Sequence, residues 1–232
     1  GMTLVMVGGG IDLSVAAVMA LVGVVAGQLF LVYKWDIWTA SLVGLAVGVA
    51  IGFINGFFVT RVGLSPFIVT LALSFMARGL AFVLSQAMPL PLNNISNSFK
   101  FIGRGMLGKT GIPFIVVLFL VVAVVFDFLS RRSTMIRRIY YVGSNEKAAR
   151  FSGINVTRVR MGVYVLSGVL AAIAGIFSVS RFNSAPPYGY AGVEMTAICA
   201  AVIGGTSMNG GEGTIFGAVL GIAMLAVIET AT

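Results

Sequence analysis

Residues 131–160 read RRSTMIRRIYYVGSNEKAARFSGINVTRVR and form the one long polar segment of a largely apolar sequence. Eight of the fifteen Lys and Arg residues lie in it, and Glu146 is its only acidic residue, so the segment carries +7 of the formal net charge of +8. An apolar stretch long enough to cross a membrane stands on each side. Because a short basic loop between two membrane spans faces the cytoplasm, this segment predicts the orientation of every other span.

The composition predicts an integral membrane protein. Hydrophobic residues make up 59% of the chain and charged residues 9%, whereas soluble domains contain about 25% charged residues. We therefore expect an all-α fold, a polytopic transmembrane helical bundle that contacts the lipid bilayer. The chain has no histidine and one cysteine, which excludes an internal disulfide and any zinc, haem or acid–base site built on histidine. No metal site, catalytic residue or nucleic-acid partner is expected.

Seven segments are candidate membrane spans, which need about 17–25 mostly apolar residues; one of them, 192–207, is short and polar at its start. They are residues 13–33, 37–60, 66–86, 112–130, 161–181, 192–207 and 212–230. Alternation from the cytoplasmic 131–160 segment places residues 60–63 and 208–213 inside, and residues 33–36, 87–111 and 182–194 outside. The whole chain, 1–232, is predicted to be one transmembrane domain. It opens on GMTLVMVGGG and closes on IETAT, which we interpret as cuts within a longer protein.

Residues 143–154, GSNEKAARFSGI, are predicted to form a short helix within the basic segment. Ser144 or Asn145 can cap its start and Gly153 can end it, and its two alanines are expected on its surface. From the residues alone, two interpretations stay open. The segment is either a solvated basic loop or a helix that docks on a cytoplasmic partner.

Residues 7–14, VGGGIDLS, are predicted to interrupt the regular structure at the first span. Three glycines are poor helix formers, and Asp12 and Ser14 can cap a helix that begins at Leu13. Irregular backbone at membrane depth occurs only where it is buried in protein or faces a cavity. The segment is therefore either a simple loop-to-helix cap or a broken helix beside a translocation path.

Polar and small residues within the spans give further expectations. Arg78 lies in the third span, and an arginine inside a membrane needs a partner or water. Two alternatives stay open: Arg78 snorkels or pairs with a structural partner, or it lines a pathway. Asp127 is predicted to pair with Arg131 four residues later. The second span carries small residues at four-residue spacing, which favours close helix packing: Gly44, Gly48 and Gly52.

Residues 103–110, GRGMLGKT, match the phosphate-binding pattern G-x-x-x-x-G-K-[ST]. That pattern binds nucleotides only between a buried strand and a helix of an α/β domain. Here a polar stretch precedes it, Pro113 follows, and the predicted topology places it outside the cell. We therefore expect no nucleotide to bind there.

Four separated motifs resemble the ribose/xylose/galactose-type permease subunits of bacterial ABC importers, which are related to the branched-chain amino-acid permeases. They are GSNEKAARFSGI; GGIDLS followed by V-x-x-V-M-A-L; NG-x-x-V with PFIVTL and ARGL; and VIGGTS. The chain departs from the family pattern at Ala16 and Ala17, where Gly-Ser is usual, and at Thr196, where the family carries an acid.

The resemblance implies a permease that imports a monosaccharide or similar small polar solute by alternating access and performs no chemistry itself. An ABC ATPase subunit would bind and hydrolyse ATP, so that no cofactor is expected on this chain. A second permease subunit and a periplasmic or extracellular substrate-binding protein are the other implied partners. The family has about ten spans, which implies two before residue 1 and one after residue 232. The implied location is the bacterial inner membrane, with 131–160 as the cytoplasmic coupling loop.

The resemblance also implies that the short helix 143–154 contacts the ATPase. The residues expected to contact the ATPase are Gly143, Asn145, Glu146, Ala148, Ala149 and Gly153. The candidates for the translocation path are Asp12, Ser14, Asn55, Thr70, Arg78 and Glu194. Glycine pairs in 204–205 and 210–211 echo the glycines of 8–10, and an internal repeat is expected because transporters often contain one.

Other classes of protein stay open as alternatives. One is a branched-chain amino-acid permease, although a charged solute should require matched ionisable groups inside the membrane. The other is a secondary transporter or channel that needs no ATPase. A membrane enzyme is disfavoured by the missing histidines and by the absence of a Ser–Lys or paired-carboxylate set.

Overall fold

The computed structural model describes residues 1–108 and 111–231. Over these residues the chain forms eleven α-helices, which confirms the predicted all-α bundle. They are α1 Met2–Val7, α2 Val15–Leu31, α3 Ile37–Phe57, α4 Pro66–Ser85, α5 Asn97–Arg104, α6 Phe114–Arg132, α7 Thr134–Ser144, α8 Glu146–Phe151, α9 Val156–Phe182, α10 Val193–Ile203 and α11 Ile215–Ala231. A π-helical turn, Phe58–Val62, extends α3, and two short strands, β1 Leu90–Pro91 and β2 Ser184–Ala185, pair antiparallel.

Four helices of the described chain are long and apolar enough to cross a membrane: α3 with its π-helical turn, α4, α6 and α9. The shorter apolar helices α2, α10 and α11 occupy the other three predicted positions. The 11 residues of α10 rise about 16 Å, roughly half of a bilayer's hydrocarbon core. The helix predicted over 192–207 is therefore shorter than expected, because Gly192 with φ +89° stands at its start and Gly204 at its end. The seven-span topology stays a prediction.

Helices α2, α3 and α9 pack together at the centre of the bundle. A Cβ atom at Gly48 would lie 2.5 Å from Ala172 Cβ, and one at Gly52 would lie 2.6 Å from the carbonyl oxygen of Tyr164. The predicted small-residue packing face of α3 is thus confirmed. Towards the periphery, α6 has no buried residue, and its Asp127 pairs with Arg131 at 2.9 Å as predicted. Outer faces of α4 and α6 are apolar, which suits contact with lipid.

Segments that were predicted to share a side of the membrane do meet at one end of the bundle. Strands β1 and β2 join the segment after α4 to the segment after α9. At the other end, which we call the basic end, the Gly211 N–H donates to the Val7 carbonyl oxygen at 2.8 Å. Residues 60 and 63 line a cavity there together with Glu146 of the basic segment.

The predicted interruption at residues 7–14 is a buried break between two helices. Helix α1 ends at Val7, α2 begins at Val15, and every residue of α1 is buried. A helix on each side, and protein around both, favours the broken-helix interpretation over a simple cap at the surface. Helix α10, a glycine-rich turn and α11 follow the same order, although α10 has 11 residues and α1 has six. The internal repeat stays a prediction.

Candidate functional site

Asp12 is the centre of a set of hydrogen bonds inside the break. Its Oδ1 accepts from the backbone N–H of Ser14 at 2.9 Å and from Ser14 Oγ at 2.6 Å. Its Oδ2 accepts from Ser167 Oγ of α9, also at 2.6 Å. All three residues are no more than 2% exposed. A buried carboxylate is stable only when its oxygens are satisfied in this way, so the break is folded around Asp12.

Two more candidate residues join Asp12 and Ser14. Asn55 Nδ2 of α3 donates to Ser14 Oγ at 2.9 Å. Thr70 Oγ1 of α4 accepts from the backbone N–H of Leu13 at 3.1 Å and donates to the Pro66 carbonyl oxygen at 2.8 Å. Four of the six residues proposed for the path therefore lie in one group. We call this group the polar cluster; it comprises Asp12, Ser14, Asn55, Thr70 and Ser167.

The other two candidates lie near the segment 182–194, at the end opposite the basic end. Arg78 Nη1 donates to the Gly189 carbonyl oxygen at 3.4 Å. Glu194 stands in the first turn of α10, and its Oε2 is buried without a hydrogen-bond partner among the described residues. Arg78 thus pairs with backbone, and neither residue belongs to the polar cluster. A role of either residue in the path stays a prediction.

Replacing Arg78 with Ala is expected to destabilise the protein more than replacing Lys100 with Ala. Arg78 is half-buried in α4, and hydrogen bonds to charged groups contribute about 1.5–3 kcal/mol, although interhelical bonds in membranes average only about 0.6 kcal/mol. Lys100 is half-buried as well, but its hydrogen bond from Nζ to the Asn93 carbonyl oxygen is exposed, so water can replace it. The measurement is the unfolding midpoint of each variant in lipid nanodiscs. Equal, small shifts would mean that Arg78 merely snorkels.

A cavity of about 370 Å³ lies between the break and the basic segment. Its polar wall is formed by the glycines 8–10 and by Thr60, Ser65, Glu146, Arg150, Thr157, Arg160 and Tyr164. The Tyr164 hydroxyl and Asn55 Oδ1 are buried and have no hydrogen-bond partner among the described residues. Unpaired polar atoms in buried positions are uncommon. Here the Tyr164 hydroxyl lies beside the cavity, and Asn55 Oδ1 lies within the polar cluster.

The short helix that was predicted in the basic segment is present as α8. Asn145 is its cap, since Asn145 Oδ1 accepts from the Ala148 N–H at 3.0 Å. Gly153, with φ +79°, follows the helix and donates its N–H to the Arg150 carbonyl oxygen at 3.0 Å. A positive φ of this kind favours glycine, which explains why the chain turns there.

Glu146 holds two arginines at the start of α8. Its Oε1 pairs with Arg150 at 2.7 Å, and its Oε2 pairs with Arg160 of α9 at 2.8 Å. The hydrogen bond from Arg150, with further help from Arg160, lowers the pKa of the Glu146 carboxyl below its usual value. Exposed pairs add little to stability, about 0–1 kcal/mol. The pairing therefore matters for where it holds α8 relative to α9.

Of the two alanines of α8, one is exposed and the other is buried, which corrects one expectation. Ala148 is exposed as expected. Ala149, however, is 4% exposed and packs with Val142 and Val156, because α7 and α9 cover this side of the short helix. It is an anchor for α8 within the chain. The exposed apolar residue is Phe151 at the end of α8, which is 93% exposed.

Gly143, which was expected to contact a partner, lies at the end of α7 against the chain's own backbone. A Cβ atom there would overlap the Val7 carbonyl oxygen and lie 2.6 Å from the Gly211 nitrogen. The position of Gly143 is therefore explained by packing inside the protein. Asn145, Ala148 and Gly153 are exposed at the basic end, and Glu146 is half-buried.

The G-x-x-x-x-G-K-[ST] match lies in the wrong structural context for a phosphate site. Its first glycine, Gly103, belongs to α5, donates its N–H to Ser180 Oγ at 2.8 Å, and packs on the backbone of α9. No strand precedes it within the described residues 92–104. Its last two residues, Lys109 and Thr110, lie outside the described residues.

Sequence reasoning missed four residues that complete the site: Phe151, Arg160, Tyr164 and Ser167. Phe151 had a signal, since it is the one aromatic residue of the predicted helix 143–154. The others had none, because their partners are far away in sequence. Ser167 bonds Asp12 across 155 positions, and Arg160 reaches the Gly8 carbonyl oxygen across 152.

Comparison with known proteins gives matches over the whole chain. A family model described as "Branched-chain amino acid transport system / permease component" matches residues 1–232. The chain is 40% identical to the D-allose transport system permease protein AlsC of Escherichia coli, over 95% of this chain and 66% of that protein. It is 39% identical to the ribose import permease protein RbsC of Bacillus subtilis, over 99% of this chain and 70% of that protein. The fructose import permease protein FruF of Bifidobacterium longum is 38% identical over 99% of this chain and 64% of that protein. The chain thus spans about two thirds of its relatives' length, and no solved structure matches it.

Proposed function

Since this chain belongs to the permease family described for branched-chain amino acid transport, we propose that it forms the translocation path of an ABC importer for a monosaccharide. The observation that carries the substrate class is the set of relatives that align over nearly the whole chain. They are named as importers of allose, ribose and fructose. In this proposal the chain itself does no chemistry and holds no cofactor. ATP is bound and hydrolysed by a partner subunit.

The chemistry of the buried groups supports a neutral, hydroxyl-rich solute. The unpaired Tyr164 hydroxyl can donate and accept, and the unpaired Asn55 Oδ1 can accept. Glycine backbone and the hydroxyls of Thr60 and Ser65 line the adjoining cavity. These are hydrogen-bonding groups of the kind that sugar hydroxyls require. We propose that the solute passes the polar cluster and leaves through this cavity.

An amino acid is the second candidate, because the family description names branched-chain amino acid transport. A zwitterion needs a charged partner for each of its ends within the path. The Asp12 carboxylate, however, is already occupied by Ser14 and Ser167. In the cavity wall, Glu146 is paired with Arg150 and Arg160, and at the opposite end Arg78 pairs with backbone. These contacts favour a sugar over an amino acid.

The basic end is the proposed docking site for the ATPase. Its positive charge supports a cytoplasmic position by the positive-inside rule. Helix α8 presents a phenylalanine that is 93% exposed beside a small residue, Ala148. Exposed aromatic residues are frequent anchors of protein interfaces. Two further partners are proposed. A second permease subunit, together with lipid, would cover the outer helices. A periplasmic or extracellular binding protein would bind at the opposite end. The proposed location is the bacterial inner membrane.

Uptake by the complete transporter tests this function. The permease gene and its neighbouring transport genes would be expressed in a host that lacks its own ribose, allose and fructose importers. We expect ATP-dependent accumulation of at least one of these radiolabelled sugars and none of leucine. Accumulation of leucine alone would support the amino-acid alternative. Sugar transport that persists without the ATPase gene would indicate a secondary transporter or channel, and transport of neither solute would overturn the proposal.

A further inference from the structure

We infer that Arg160, together with the backbone contact of Gly143 with Val7, links α8 mechanically to the buried break at residues 8–14. The inference rests on the proposed function, in which an ATPase moves α8. It goes further by naming which part of the membrane domain responds. The break would follow α8, and the lipid-facing helices would not.

The ionic half of the link is the Arg160 side chain. Its Nη1 pairs with Glu146 Oε2 of α8 at 2.8 Å, and its Nε donates to the Gly8 carbonyl oxygen at 3.4 Å. A guanidinium group is planar and rigid and presents five donors, so it can hold two acceptors at once in a fixed geometry. Arg160 therefore joins the first turn of α8 to the first residue after α1.

The second half of the link consists of three backbone segments that touch without side chains between them. The Val7 carbonyl oxygen lies so close to Gly143, at the end of α7, that it leaves no room for a Cβ atom there. The same oxygen accepts from the Gly211 N–H at 2.8 Å. A Cβ atom on Gly211 would lie 2.6 Å from Ser144 Cα. Close-packed backbone has little room to yield, so a displacement of the end of α7 must also displace Val7.

Helix α8, which the ATPase is proposed to move, is packed against α7 and α9. Ala149 fixes α8 against Val142 of α7 and Val156 of α9. On the other side, the break contains a stretch of backbone outside regular helix, between α1 and α2. Such a stretch can shift at lower energy than a continuous helix can bend. Its far end carries Asp12, so movement at Gly8 would reach the polar cluster.

Amide hydrogen exchange of the permease in lipid nanodiscs tests the link without any partner. In Arg160→Gln, exchange across residues 7–14 is expected to rise by roughly tenfold, the size of a typical coupling between sites. Arg160→Lys, which keeps the charge, should restore part of the protection. The matched control is Arg158→Gln, because Arg158 is an exposed arginine two residues earlier on the same helix. Unchanged exchange in Arg160→Gln, or an equal rise in Arg158→Gln, would overturn the inference.

The assembled transporter supplies the readout that a purely structural role would not change. With Arg160→Gln we expect the sugar moved per ATP hydrolysed to fall by roughly tenfold. Arg160→Lys should recover part of this ratio, and Arg158→Gln should keep the wild-type ratio. A wild-type ratio in Arg160→Gln would refute the link. Failure of the wild-type complex to move any sugar would instead refute the proposed function, and the exchange experiment would still decide the link.

Discussion

Phe151→Ser is expected to abolish sugar uptake by the assembled transporter while the permease remains folded in the membrane. Phe151 is 93% exposed at the end of α8, so truncating its side chain removes little contact within the chain. If it is the anchor of the ATPase interface, its truncation should cost at least about 2 kcal/mol, which corresponds to roughly 30-fold weaker binding. The measurement is ATPase co-purification with the permease, together with uptake.

Two further variants separate docking from general damage. Phe182→Ser removes another exposed aromatic residue, 57% exposed at the opposite end, and should leave ATPase binding unchanged. Ala148→Trp adds bulk to the exposed face of α8 and should reduce binding, since overpacking a fitted surface holds the partner away. Wild-type ATPase binding in Phe151→Ser and Ala148→Trp would remove the case for docking at α8.

Substitution at Ala149 cannot serve for this purpose. A tryptophan there would have to displace Val142 and Val156, and an overpacked core costs about 1–3 kcal/mol. Loss of transport in Ala149→Trp would therefore report the detachment of α8 from its own chain. This distinction depends on which side of a six-residue helix faces inward, and so short a helix is too brief to show a periodic pattern.

Local chemistry explains which parts of the fold could be predicted from the sequence. The Asn145 cap, the turn at Gly153 and the Asp127–Arg131 pair each depend on residues within four positions of one another. Rules of capping and helical spacing describe such contacts well. The long apolar segments likewise predicted the helices α3, α4, α6 and α9, because the bilayer sets the length of a span.

The remaining features depend on contacts between distant parts of the chain. The break is buried because α1 packs among other helices. The sequence of residues 1–7 has no pattern that indicates this packing. The pairing of Asp12 with Ser167 needs α2 and α9 to be neighbours. A serine in a glycine- and alanine-rich helix is also compatible with simple packing, so its role became evident only from its partner.

Asp12→Ala is expected to destabilise the permease more than any other single change in the polar cluster. It removes the acceptor for three donors: the Ser14 N–H, Ser14 Oγ and Ser167 Oγ. Each buried donor left without a partner costs about 1–3 kcal/mol, so even the lower value gives a loss of about 3 kcal/mol. The measurement is the unfolding midpoint in nanodiscs, supported by the amount of protein in the membrane.

Conservative variants then distinguish a structural role of Asp12 from a role in the path. Ser167→Ala leaves Asp12 Oδ1 bonded to Ser14 but takes the donor away from Oδ2, so it should lower stability by about 1.5–3 kcal/mol. Asp12→Asn keeps the size and one acceptor oxygen, and the Ser167 hydroxyl can rotate to accept from the new amide. If Asp12 only holds the break, Asp12→Asn should fold and transport at close to the wild-type rate. If the carboxylate also faces the solute, Asp12→Asn should fold and yet lose uptake. Three buried donors that lose their acceptor must lower the measured stability. Wild-type stability in Asp12→Ala would therefore show that the break does not depend on Asp12.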